Sequence, residues 1–100
     1  MINVACIDSQ YFDAILAGRK RTEQRIRKRP HSRLENIRPG ELVILLERST
    51  TRALVAPIRA VKRFGVPGRY SYRIRLGTPT LTRSNRPHLQ GWQRISNATA

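Results

Sequence analysis

The sequence predicts a small α+β fold, one early helix followed by a curled or closed sheet, and three observations carry that prediction. Helical spacing of apolar residues is confined to residues 9–17, where Tyr11, Phe12, Ile15 and Leu16 fall at i, i+1, i+4 and i+5. The later apolar runs are short and strand-like, with Pro and Gly turn signals between them. A length of 100 residues suits a single domain spanning 1–100, because a chain this short has little surface to bury in a second core.

Taken in order, residues 2–7, INVACI, form an apolar run that suits a buried first strand, with Cys6 as a small buried hydrophobe. Asp8 and Ser9 offer an N-cap to the helix, and Gly18 can take the left-handed conformation that ends it. Thr22 to Ile26 reads as a strand leaving the helix, and RKRPHSR at 27–33 as a basic loop. Pro39-Gly40 is a turn that opens Leu42 to Leu46, a run suited to a strand buried on both faces. In ALVAPIRAVKRF, Pro57 suggests a strand edge or bulge, and Ile58, Val61 and Phe64 supply buried positions. Gly65 to Gly68 reads as a turn. Beyond it Tyr70, Tyr72, Ile74 and Leu76 alternate with Ser71, Arg73 and Arg75, the period of a strand with one apolar and one basic face. A further strand is expected at 80–82 and a last apolar pair around Trp92 and Ile95, with 96–100 as a frayed tail.

Hydrophobic residues make up 39% of the chain, enough for one modest core. The net charge of +14, from 20 Lys and Arg against 6 Asp and Glu, favours a polyanionic partner, above all nucleic acid. Arginine supplies 17 of those cations, and its planar fork grips phosphates and base edges and stacks on bases. One cysteine and two separated histidines, His31 and His88, make neither an internal disulfide nor a good zinc site, so no metal or cofactor is expected. No segment has the length of a membrane span or the pattern of a signal peptide, so a cytoplasmic location without membrane attachment is the expectation.

Residues 18–25 read Gly-Arg-Lys-Arg-Thr-Glu-Gln-Arg, the pattern G-x-K-x-x-E-x-R, after the helix SQYFDAILAG and before the turn Pro39-Gly40-Glu41. This stretch, about residues 7–47, resembles the signature of the ASCH domain family, relatives of the PUA RNA-binding domains. The resemblance implies a small PUA-like β-barrel with one main N-terminal helix, and RNA or a nucleotide as the partner. On an extended strand Glu23 and Arg25 share a face, with Lys20 in the turn before them, so the three can line one basic cleft. There the carboxylate accepts from a base or ribose hydroxyl, and the cations hold a phosphate or carbonyl oxygen. The plainer alternative is an ion pair of Glu23 with Arg25 or Arg21 on a solvated face, worth ~0–1 kcal/mol.

The candidate nucleic-acid contacts are Arg19, Lys20, Arg21, Glu23, Arg25, Arg27, Lys28, Arg29, Arg73 and Arg75. Arg27, Lys28, Arg29 and Arg33 are equally a solvated loop, and alternating charge such as Arg73 and Arg75 is ordinary on an outer sheet face. Tyr70, Tyr72 and Trp92 can stack on bases, although core packing is the preferred reading for Tyr72 and Trp92. An enzyme is the rival to a binding module. Some ASCH proteins are similar to amidohydrolases of acylated cytidine or to ribonucleases, which would make Lys20 and Glu23 the catalytic candidates. Lys20 would be base or nucleophile where burial and nearby Arg19, Arg21 and Arg25 disfavour its charged form. The amidohydrolase pattern has threonine where Glu23 stands, and it needs a later acid. No acidic residue follows Glu47, so binding is preferred. A protein-interaction subunit of a ribonucleoprotein or transcription-coactivator complex is a third reading.

Overall fold

The computed structural model describes residues 1–26, 34–66, 69–84 and 91–95. The chain starts with β1 (Ile2–Ile7) and turns into the helix α1 (Ser9–Leu16). Asp8 holds the N-cap position in an extended conformation, and its carbonyl accepts from Tyr11 and Phe12 at 3.0 Å. Its carboxylate makes no capping bond, being held at 2.9 Å by Arg48. Gly18 ends the helix at φ 82°, as its place in the sequence predicts.

Six further strands follow: β2 (Thr22–Ile26), β3 (Leu42–Glu47), β4 (Arg52–Val66), β5 (Arg69–Leu76), β6 (Thr80–Arg83) and β7 (Gln93–Ile95). The sheet runs β2-β5-β4-β3-β1-β7, with β6 also paired to β4. β1 and β3 are parallel and the other pairs antiparallel, the crossover between β1 and β3 carrying α1 and β2. The long strand β4 serves two half-sheets. Residues 53–57 pair with β3, and 58–66 pair with β5. Between them, at Ile58 and Ala60, the register shifts, which leaves Arg59 without a ladder partner and bends the strand. The irregularity anticipated at Pro57 thus falls two residues later, and Pro57 itself sits in the ladder opposite Leu42. Gly77 packs into the bend so closely that a Cβ there would lie 2.7 Å from both Pro57 Cγ and Arg59 Nε.

The sheet is curled but open, because β2 and β7, at its two ends, are not paired to each other among the described residues. The described strands thus form a small sheet-dominated fold with one helix, without the closure expected of a barrel. The gap is crossed by a side chain instead, Arg25 Nη2 of β2 donating to the Cys6 carbonyl of β1 at 3.0 Å. A second correction concerns the turn expected at 65–68. Gly65 lies within β4, opposite Tyr70, because the hairpin ladder extends to Val66 and Arg69.

Phe12 and Ile15 of α1 pack on Ala5, Ile7, Val43, Leu45, Leu54, Ile58, Tyr72, Ile74, Leu76 and Trp92, with Leu34 and Ile37 closing the same core. Val4, Cys6, Leu46 and Ala53 form a smaller cluster on the other face. β1 and β3 are thus buried on both sides, as their unbroken apolar runs predict. Val61 and Phe64, expected to be buried, are only half-buried because they lie on the part of β4 beyond the bend. No helix among the described residues is long and apolar enough to cross a membrane.

Candidate functional site

Past Gly18 the chain turns sharply, and the amides of Arg19 and Lys20 both donate to the Ala14 carbonyl, at 2.9 and 3.1 Å. Lys20 is set beside the helix by this turn, its amine 4.5 Å from the centroid of the Tyr11 ring. Arg21 folds back to donate from Nη1 to the Ile15 carbonyl at 2.7 Å. It caps the helix C-terminus, where a cation is favoured. Its own carbonyl accepts from Leu76 at 2.7 Å, which starts the β2–β5 ladder.

In that ladder Glu23 lies opposite Ile74 and Arg25 opposite Tyr72. Directly opposed residues share a face, and Ile74 and Tyr72 belong to the core, so Glu23 and Arg25 point inward. Glu23 is 7% exposed and Tyr72 2%. Glu23 Oε1 lies 3.2 Å from Arg25 Nε, an ion pair without the alignment of a hydrogen bond, and the Arg25 guanidinium lies 5.8 Å from the Trp92 ring centroid. On this inward face three polar atoms, Glu23 Oε2, Arg25 Nε and Tyr72 Oη, are buried without a hydrogen-bond partner. Each such group costs about 1–3 kcal/mol unless something pairs with it.

The other carboxylates with described side chains are all held by arginine. Asp8 meets Arg48 at 2.9 Å and Asp13 meets Arg52 at 3.0 Å. Glu47, 2% exposed, is gripped through both oxygens by Arg52 Nε and Nη2 at 2.7 Å and accepts from the Thr50 hydroxyl at 2.7 Å. The bonds from Arg52 hold its carboxyl well below the usual range, at about 2, against the opposing effect of burial. Glu41 belongs to a second closed network. Asn3, fully buried, donates to Glu41 Oε1 and to the Leu42 carbonyl, both at 3.0 Å, and accepts from Trp92 Nε1 at 2.8 Å and Arg94 Nε at 3.2 Å. Arg94 Nη2 completes it with a 2.6 Å bond to Glu41 Oε2. Burial raises the Glu41 pKa, but the bonds from Arg94 and Asn3 and the Arg94 charge outweigh it, so the net shift is downward.

Of the residues singled out by the motif, the structure brings Glu23 and Arg25 together and seats Lys20 against Tyr11. No contact of the Lys20 amine with Glu23 or Arg25 is present among the described residues. Arg19 is exposed. Arg73 and Arg75 lie opposite Gln24 and Thr22, on the outer face of the same strands, so they do not join the track of Glu23 and Arg25. The Glu23–Arg25 pair anticipated on a solvated face is present, with Glu23 buried and Arg25 half-buried. Arg27, Lys28, Arg29, Arg33, His31 and His88 lie outside the described residues, as does the tail 96–100. Tyr72 and Trp92 pack in the core as preferred, and the Tyr72 hydroxyl is buried there without a hydrogen-bond partner. The Asn3–Glu41–Arg94 network was not anticipated. Its signal was an amide inside an apolar strand, a residue that must be paired when buried.

Among the described residues, no group of three or more His, Cys, Asp or Glu side chains is placed to hold a metal ion. No family model and no curated protein matches the sequence. The fold does match a solved structure, the crystal structure of a mutant form of ZmASCH from Zymomonas mobilis. The TM-score is 0.66 at 13% identity, over 96% of this chain and 91% of that one. At this identity the likeness is one of fold, and this chain has the fold of the ASCH domain that it matches.

Proposed function

We propose that the chain is a binding domain for RNA or a nucleotide and that the inner cluster of Glu23, Arg25 and Tyr72 receives the base or ribose, with Lys20 at its rim for a phosphate. The observation that carries this reading is the trio of buried unpartnered atoms, in a chain whose other described carboxylates are all paired. Glu23 Oε2 accepts only, Arg25 Nε donates only, and the Tyr72 hydroxyl does either. Side by side, an acceptor and a donor complement the edge of a nucleobase, which presents donors and acceptors together, or a ribose hydroxyl. A ligand that pairs them recovers the desolvation these groups have already paid. The net charge of +14 supports an anionic ligand, since it draws phosphates toward the chain.

Titration of the four ribonucleoside monophosphates by calorimetry tests the reading. Glu23→Gln replaces an ionised acceptor by an amide and is expected to weaken binding about tenfold, the loss of one charge-assisted hydrogen bond. Tyr72→Phe removes a buried unpaired hydroxyl. It is expected to raise stability by about 0.5–1 kcal/mol while weakening binding, the mark of a group retained for function. Unchanged nucleotide affinity in both variants would sink the assignment.

A further inference from the structure

We infer that the outer face of β2, β5 and the far half of β4 is a second binding surface, one that takes the phosphate backbone of single-stranded RNA independently of the inner cluster. This goes beyond the site proposed above, which lies on the opposite side of the same strands.

The register fixes which residues share that face. Lys62 lies opposite Arg73 and Arg73 opposite Gln24, while Ala60 lies opposite Arg75 and Arg75 opposite Thr22. Further along, Phe64 faces Ser71 and Val66 faces Arg69. The cations Lys62, Arg69, Arg73 and Arg75 are all exposed, and so is Ala60, whose small side chain would be covered if any described element packed there. None of the four cations forms an ion pair among the described residues, and β2 contributes Thr22 and Gln24 to this face while turning Glu23 inward. The described carboxylates are committed elsewhere, so the field of this face is not cancelled locally.

Strand geometry places Arg73 and Arg75 ~6.7 Å apart along β5, and the neighbouring strands lie ~4.8 Å away. Such a lattice of cations can follow consecutive phosphates of an extended chain. The Arg73 guanidinium lies 5.4 Å from the centroid of half-buried Phe64. An aromatic ring flanked by arginine on an open sheet gives a base a stacking partner, which distinguishes a single strand from a duplex or an acidic peptide.

The test uses the full chain, an oligouridylate of about twelve nucleotides and a triple variant, Lys62→Gln, Arg73→Gln and Arg75→Gln. A charge-matched control carries Arg38→Gln, Arg48→Gln and Arg83→Gln. Circular dichroism checks that both fold. Loss of three phosphate contacts is expected to make the log–log salt slope shallower by about 2 and to lower affinity about 100-fold near 0.1 M salt, with a much smaller change in the control. Equal slopes in the two variants would overturn the inference. So would a triple variant that loses binding to poly-glutamate but keeps binding to the oligonucleotide. Ribonucleoside monophosphate affinity is expected to persist in the triple variant, and its loss there would mean one continuous site rather than two. Failure of wild type to bind mononucleotide would remove the inner-site reading and leave this one standing on the oligonucleotide slopes.

Discussion

Two buried glutamates, Glu47 and Glu23, are each paired with an arginine and end in opposite states. Glu47 has both oxygens filled by Arg52, with Thr50 adding a third bond, and Arg52 reaches on to Asp13 and stacks at 4.7 Å over Phe12. Glu23 has a looser contact at 3.2 Å and one buried oxygen with no partner. Burial and residue type are nearly the same, so neither decides the role. What differs is completion. A closed network locks the end of β3 to the start of β4, whereas an incomplete one leaves hydrogen-bonding capacity that a ligand can use.

The largest expected effect tests the closed kind of network. Asn3→Leu keeps the branched shape but strands Trp92 Nε1 and loosens Glu41 and Arg94. Stability is expected to fall by about 3 kcal/mol in urea unfolding. A loss no larger than that of Glu23→Gln would erase the distinction between the two kinds of cluster.

Acid titration comes next. Because the folded pKa of Glu47 is depressed to about 2, its contribution is present above its unfolded pKa of ~4.3 and is lost as pH falls from there toward 2. The full displacement corresponds to about 3 kcal/mol, and solvent screening at the half-open Arg52 side reduces it to about 2 kcal/mol. Glu41, also lowered, acts in the same direction. Urea midpoints at pH 6 and pH 3 should therefore diverge in wild type and differ less in Glu47→Gln, where the Glu41 contribution remains. Equal pH sensitivity in that variant would place the acid lability elsewhere.

The smallest effect belongs to Lys20. Lys20→Arg keeps a cation that can lie over Tyr11, so nucleotide affinity is expected to change less than about threefold, since arginine stacks at least as well. The same variant decides between binder and enzyme. Release of product from N-acylated cytidine or labelled RNA by wild type, abolished in Lys20→Arg, would replace binding by catalysis.

Much of the fold was legible because its signals are local. The alternation of Tyr70 to Leu76, the helical spacing from Tyr11 to Leu16 and the stop at Gly18 each depend on neighbours in sequence. The face shared by Glu23 and Arg25 was legible for the same reason. Whether Glu23 and Arg25 would lie on the same face as Arg73 and Arg75 was not, because it depends on the β2–β5 register, and a slip of one residue would have set Arg73 opposite Glu23. Closure was equally out of reach, since it is decided by whether β2 and β7 meet. The Asn3 network joins residues 3, 41, 92 and 94, a set no local pattern collects.

The absent side chain of Gly77 makes room for the bend in β4. A methyl group there would lie 2.7 Å from the Pro57 ring and from the Arg59 side chain, at the bend of β4, the strand paired to both β3 and β5. The corner of the sheet is thus closed over a residue with no side chain, and any larger residue at 77 has to push one of two neighbouring side chains aside.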